Sequence, residues 1–241
     1  MILIAFLNTN NPKNILNNIE TLDGKYNYVI ASSREEYSLA SKSPIKVSKN
    51  NTEAYNTILG YSNSKNYTRT VIISDNIKVT DWNFIKEYIN IQDTFNQDVS
   101  FYPYANPNVN MALGKLYNPV LKLKHQNLPL CDIVRVPMSD VVIIKNSDIT
   151  FDVNFKHLYM EKFMLDHISK NKVYSFGLFF DIKDSYKYFE TLSYQSSKKE
   201  DQDEIIKENM ALKDKLISDV DIRKLIEYIK SIKSNVVEFK V

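Results

Sequence analysis

The chain has 241 residues, 25% of them charged and 44% hydrophobic, which supports one sizeable core and lies far from the balance of a disordered chain. Its 31 basic and 29 acidic side chains leave a net charge of +2, so no global field is directed at nucleic acid or membrane and any basic site is local. Cys131 is the single cysteine, which excludes an intramolecular disulfide framework and a multi-cysteine zinc site and suits a reducing, cytoplasmic setting.

Residues 2–7 form a short apolar run that ends in Asn-Thr-Asn-Asn-Pro, the pattern of a buried strand running into a loop. Pro12 opens a predicted helix over 12–22, and strands follow at 26–31, after the Asp23-Gly24 turn, and at 45–47. A helix is expected over 53–61 and a β-rich strand over 70–73, stopped by Ser74-Asp75-Asn76. This strand–helix–strand alternation predicts an α/β fold with a mostly parallel sheet flanked by helices. Trp82, Ile85 and Ile89 recur at helical spacing and predict a helix over 82–90, ahead of a strand at 99–102. The stretch 103–129 carries four prolines and reads as loop. Strands are expected at 132–136, 141–145 and 173–180, with a helix at 156–169 between the last two. From about residue 196 the composition turns charge-rich and helical, over 201–217 and 221–232, so the chain divides into a domain at 1–190 and a C-terminal helical appendage at 196–241. No stretch of about 18 apolar residues occurs, so no membrane span is expected. Richness in Asn, Lys, Ile and Tyr with only four glycines suits AT-rich coding, as in a low-GC bacterium or a phage; for a phage the relevant compartment is the host cytoplasm.

Three features could carry chemistry. Ligands of parallel α/β sheets bind beyond the carboxyl ends of strands, and Asp75 stands at such an end; there it can meet a divalent cation or a sugar hydroxyl, or simply cap the turn. Glu161 falls on the apolar stripe of the 156–169 helix with Leu158, Leu165 and Ile168. Such a carboxylate is either paired in a buried salt bridge, for instance to Arg135, or lines a cleft as a general base. Lys162, on another face, is expected to pair with Asp166 at the surface. Finally, residues 99–131 contain no Asp or Glu, while Lys115, Lys122, Lys124 and His125 lie among Phe101, Tyr102, Tyr104 and Tyr117; this is either a phosphate- and base-binding segment or a solvated loop. His157 and His167 do not have metal-ligand spacing. The chain has no Walker A, G-x-G-x-x-G or G-x-S-x-G sequence, which argues against ATPase, Rossmann dehydrogenase and serine hydrolase readings.

In order along the chain, ILIAFLNTNNPKNILNNIETL, NNTEAYNTILGYSNSKNYTRTVIISDNIKV and FDVNFKHLYMEKF resemble the segments of family-2-like glycosyltransferases with the GT-A fold, over roughly residues 1–185. The resemblance implies a Rossmann-like, mixed sheet and transfer of a sugar, with inversion, from a nucleotide-sugar donor to an acceptor hydroxyl. It places Asn8 and Thr9 near the nucleotide base or ribose and Asn56 near the donor. Asp75 and Asn76 would occupy the turn that holds Mn²⁺ or Mg²⁺ and the diphosphate, with Asp75 as metal ligand, and Glu161 would be the base. The chain has Ser74-Asp75-Asn76 where the family has D-x-D, so a single carboxylate stands in that turn. The acceptor would be a glycan, a protein or hydroxymethylated phage DNA. The alternative is a non-catalytic binding protein on a degenerate transferase scaffold. A nucleotidyltransferase is disfavoured because the first loop is not glycine-rich.

Overall fold

A computed structural model of the chain describes residues 1–8, 12–33, 44–94, 98–101, 141–145, 148–157, 159, 162–163, 188–191, 203–208 and 210–211. Their elements are β1 (Ile2–Asn8), α1 (Pro12–Leu22), β2 (Asn27–Ser32), β3 (Pro44–Lys46), α2 (Asn51–Ser64), β4 (Arg69–Ser74), β5 (Ile77–Val79), α3 (Phe84–Thr94), β6 (Val99–Phe101), β7 (Val141–Lys145) and β8 (Phe189–Thr191). Six strands form one sheet in the order β3-β2-β1-β4-β7-β6, and β5 and β8 form a two-stranded ribbon. β1 runs parallel to β2 and β4, and β2 runs parallel to β3. β7 opposes both β4 and β6. The sheet is therefore mixed and mostly parallel, as expected.

Helices cover both faces, so the central strands are apolar at successive positions rather than at alternate ones. Leu3, Ala5, Ile72, Val142 and Ile144 pack with Ala54, Tyr55, Ile58 and Leu59 of α2. Their sequence neighbours Ile4, Phe6, Val71, Ile73, Val141 and Ile143 pack instead with Ile15 and Leu22 of α1 and Phe84, Ile85 and Tyr88 of α3. The chain travels from β1 out to β2 and β3, then returns past β1 to β4. Crossovers keep one hand, so reversing the direction of travel puts α1 and α2 on opposite faces.

Local chemistry explains where elements begin and end. The expected helix at 53–61 extends to Asn51–Ser64 because Asn50 caps it, accepting the Thr52 N–H at 2.9 Å. At its far end Asn66 adopts φ 58°, while Tyr67 N–H reaches Ser62 O at 3.1 Å and Asn66 N–H reaches Asn63 O at 3.0 Å. That bond pair is a Schellman motif with asparagine in the left-handed position. The helix expected over 82–90 begins later, as α3, because Trp82 and Asn83 form a turn in which Asp81 accepts the Asn83 N–H at 2.9 Å. Residues 156 and 157, assigned to a helix from the sequence, are not helical, whereas 159, 162 and 163 are. The strands expected at 132–136 and 173–180, the loop at 103–129 and the helix at 221–232 lie outside the described residues. Within the expected 201–217 helix, 203–208 and 210–211 are helical. No helix among the described residues is long and apolar enough to cross a membrane.

Candidate functional site at the carboxyl edge of the sheet

Because the strand order reverses at β1, the crevice beyond the carboxyl ends of β1 and β4 is the topological switch point, where open parallel sheets bind ligands. The pairing of Lys46 with Ser32, Ser32 with Asn8, and Leu7 with Ser74 lines up one polar edge. Asn8 is the last residue of β1 on that edge; Thr9, next to it, lies outside the described residues. Asp75 extends the ladder one step beyond β4, its N–H donating to Leu7 O at 3.1 Å. Asn76 follows half-buried, with its N–H 3.3 Å from Ser74 Oγ.

The turn is held from behind by α1. Asn14 Nδ2 donates to the Asp75 carbonyl at 3.0 Å and Asn18 Nδ2 to the Ile77 carbonyl at 2.8 Å, while Asn18 Oδ1 accepts the Val79 N–H at 2.8 Å. One turn further on, Thr21 Oγ1 accepts from Trp82 Nε1 at 3.1 Å. These polar residues recur every three or four positions, so they share one helix face and meet residues 75 to 82 in order. Burial of Asn14 and Asn18 is tolerable because their amides are satisfied. Sequence reading missed this ladder, although asparagines spaced by four within an amphipathic helix were its visible signal.

Asp75 itself is fully buried, unlike a carboxylate presented to solvent. Divalent Mn²⁺ or Mg²⁺ needs about six oxygen ligands, several from carboxylates, water or phosphate. The turn offers one enclosed carboxylate between neutral Ser74 and Asn76, and no group of three or more His, Cys, Asp or Glu among the described residues is placed to hold a metal. The described residues alone therefore do not fit a resident cation.

On the opposite face, Phe151, Phe155, Tyr159 and Phe163 pack with residues of α2. Asn56 grips the backbone of Phe151 with both ends of its amide, donating to the carbonyl at 2.9 Å and accepting the N–H at 2.8 Å. Thr52 Oγ1 donates to the Phe155 carbonyl at 2.5 Å. Asn56 is thus committed to holding this segment, whereas the resemblance places it near the donor. Tyr55, Phe151, Tyr159 and Phe163 interlock there edge-on or tilted, with centroids 4.9 to 5.8 Å apart.

Glu161 lies outside the described residues. Lys162 is expected on a solvated face; instead it is 9% exposed, its ammonium 3.8 Å from Asp152 and 5.6 Å from the centre of the Phe155 ring. An aromatic face and a carboxylate together make that burial tolerable.

Ahead of these residues lies a charged cluster that sequence reading also missed. Glu208 accepts the Lys156 N–H at 2.7 Å and the His157 N–H at 3.1 Å. Glu204 lies 2.6 Å from Lys156 Nζ and 3.2 Å from His157 Nε2. Hydrogen bonds from Lys156 and His157 hold the Glu204 carboxyl below its usual range, and the bond to Glu204 raises the Lys156 ammonium above its own.

Fold and edge together define an α/β protein with a mixed, mostly parallel sheet flanked by helices, compatible with a Rossmann-like fold, and a switch point at the carboxyl ends of β1 and β4. No protein-family profile and no curated protein matches the chain. Among solved structures it is similar to A197 from STIV, with 16% sequence identity and a TM-score of 0.28, over 44% of this chain and 48% of that one. The match thus spans about half the length of that structure.

Proposed function

We propose that the chain is a GT-A-like glycosyltransferase, moving a sugar from a nucleotide-sugar donor to an acceptor hydroxyl with inversion. The observation that carries this reading is the Asp75-Asn76 turn, set at the switch point between β1 and β4 and continued into the β5 strand of the ribbon. The donor diphosphate would lie at this turn and the nucleoside beside Asn8 and Thr9. Glu161 would take the proton of the attacking hydroxyl, and inversion follows when that oxygen attacks opposite the departing diphosphate.

A thermal-shift screen over nucleotide sugars identifies the donor, since selective binding stabilises the fold by mass action. Donor turnover should fall by about 100-fold or more in Glu161→Gln, the loss usual for a removed general base. Unchanged turnover in both Glu161→Gln and Asp75→Asn would remove the site assignment. Calorimetric titration with Mn²⁺ tests the implied cation: heat that disappears in Asp75→Asn supports Asp75 as its ligand, and no heat with the native chain rejects it. For the acceptor, a gel shift with duplex DNA that weakens steeply with salt favours modified DNA over a glycan.

The enclosure of Asp75 favours one second reading, a non-catalytic binding protein on a degenerate transferase scaffold. Donor hydrolysis with and without Mn²⁺ separates the two, because an inert scaffold binds donor and releases no nucleotide.

A further inference from the structure

The turn ahead of the helical residues Tyr159, Lys162 and Phe163 leaves two backbone N–H groups, those of Lys156 and His157, to be satisfied. A helix entrance usually meets this need with a serine, threonine, asparagine or aspartate from its own chain neighbourhood. Here Asp152 and Asn154 are engaged with each other: Asp152 Oδ1 accepts from the Asn154 N–H at 3.0 Å and from Asn154 Nδ2 at 2.9 Å. The acceptor comes instead from Glu208, some 50 positions downstream. Glu208 is only 9% exposed, and a charged acceptor placed on backbone N–H groups forms a stronger bond than a neutral one. Glu204, one helical turn earlier on the same face, binds both Lys156 Nζ and His157 Nε2. Glu53, on α2, and Glu208 add attraction for the same ammonium. Four contacts therefore converge from two side chains of one helix on two consecutive residues.

We infer that the helical segment at 203–208 is a clasp, in which Glu208 binds the backbone of the turn ahead of the helical residues Tyr159, Lys162 and Phe163, and Glu204 locks that turn through Lys156 and His157. Without the clasp, the turn at Lys156 and His157 loses its backbone partners and opens, while α2 and the sheet are untouched. Glu161 lies four positions beyond His157 in the sequence, so under the sugar-transfer reading the clasp makes Glu204 and Glu208 positioning residues: they hold the chain that leads to the base without touching substrate. That consequence rests on the proposed function; the clasp does not.

The test is amide hydrogen exchange on the full chain, read at Lys156 and His157, for the native protein, Glu208→Ala and Glu208→Gln. In Glu208→Ala both amides should exchange roughly fivefold faster or more, the fold-change of a lost helix cap, with protection in α2 and β4 unchanged. Glu208→Gln keeps a neutral acceptor and should fall between the two. Unaltered exchange at Lys156 and His157 in the alanine variant overturns the clasp. Should that variant fail to fold, Glu208→Gln decides: selective acceleration at these two amides supports the clasp, and native exchange rejects it. Donor turnover in the same proteins should lose kcat with KM nearly unchanged and recover partly with glutamine. Absence of turnover in the native chain counts against the transferase reading and leaves the exchange result standing.

Discussion

Asn18 shows how much one buried amide can hold. Its two ends satisfy the Ile77 carbonyl and the Val79 N–H, and it is 1% exposed. Truncation to alanine strands both backbone groups away from water, at roughly 1 kcal/mol or more each. Asn18→Ala should therefore lose about 2–4 kcal/mol in a urea titration, and Asn14→Ala, which loses one bond, about half as much. Equal stability of Asn18→Ala and the native chain would show that the ladder does not hold the Asp75 turn. Glu204 offers a residue-level test by pH. Its folded pKa is depressed below 4.5, so its contribution is complete above the unfolded value and is lost as pH falls through the folded one. Lys156 is the mirror case. Its folded value lies above 10.5, so its share is complete below that pH and disappears as pH rises through the folded value. The stability difference between the native chain and Glu204→Gln should shrink below pH 4.5 and again above 10.5. Both side chains are exposed, so the effect is small and salt-sensitive, and thermal melts at low ionic strength are the suitable measurement.

At the scale of elements, α2 is defined as much by its ends as by its apolar stripe. Asn66 sits at φ 58°, a conformation costing a β-branched residue roughly 1–2 kcal/mol. Asn66→Val should lose about that much in denaturant, while Asn66→Gly should be neutral or slightly stabilising; equal losses would mean that the left-handed turn does not limit the helix. The same helix marks what the sequence could reveal. A helix over 53–61 was expected, and β1 and β4 followed from continuous apolar runs, a pattern set by burial on two faces. The three-residue strands β5 and β8 carry too few positions for any period to register, and their pairing joins residues more than 100 apart in the chain. The antiparallel run of β7 was equally hidden: Val141 to Ile144 read as a buried strand whichever way they point, and direction is set by a connection rather than by the strand. At the site, Asp75 was legible as a carboxylate at a strand end, but its burial is set by tertiary contacts, among them the bond of its carbonyl to Asn14 of α1. Lys162 was misplaced for a similar reason: helical phase put it in solvent, and the Phe155 ring and Asp152 cover it from outside its own helix.

Among the described residues, the sheet separates two apolar layers. Phe84 and Phe189 meet in the α1–α3 layer with ring centroids 4.7 Å apart at 63°. Through Phe189, α3 grips the ribbon whose other strand, β5, continues the Asp75 turn. Phe151 lies in the α2 layer, 5.5 Å from Tyr55 at 82°. Edge-to-face aromatic pairs add about 0.5–1.5 kcal/mol beyond the area they bury, whereas Phe84 and Phe151 fall in separate layers with the sheet between them. A double-mutant cycle with Phe→Leu changes at 84 and 189 should therefore yield a coupling in that range, and one at 84 and 151 should be additive within about 0.5 kcal/mol. Leucine keeps the sites apolar, so the cycle reads the ring contact more than the loss of burial. Coupling of similar size in both cycles would mean that the layers are not independent. Strain at the carboxyl edge would then reach the α2 face, and the turn at Asp75 and the clasp at Glu208 could no longer be altered one at a time.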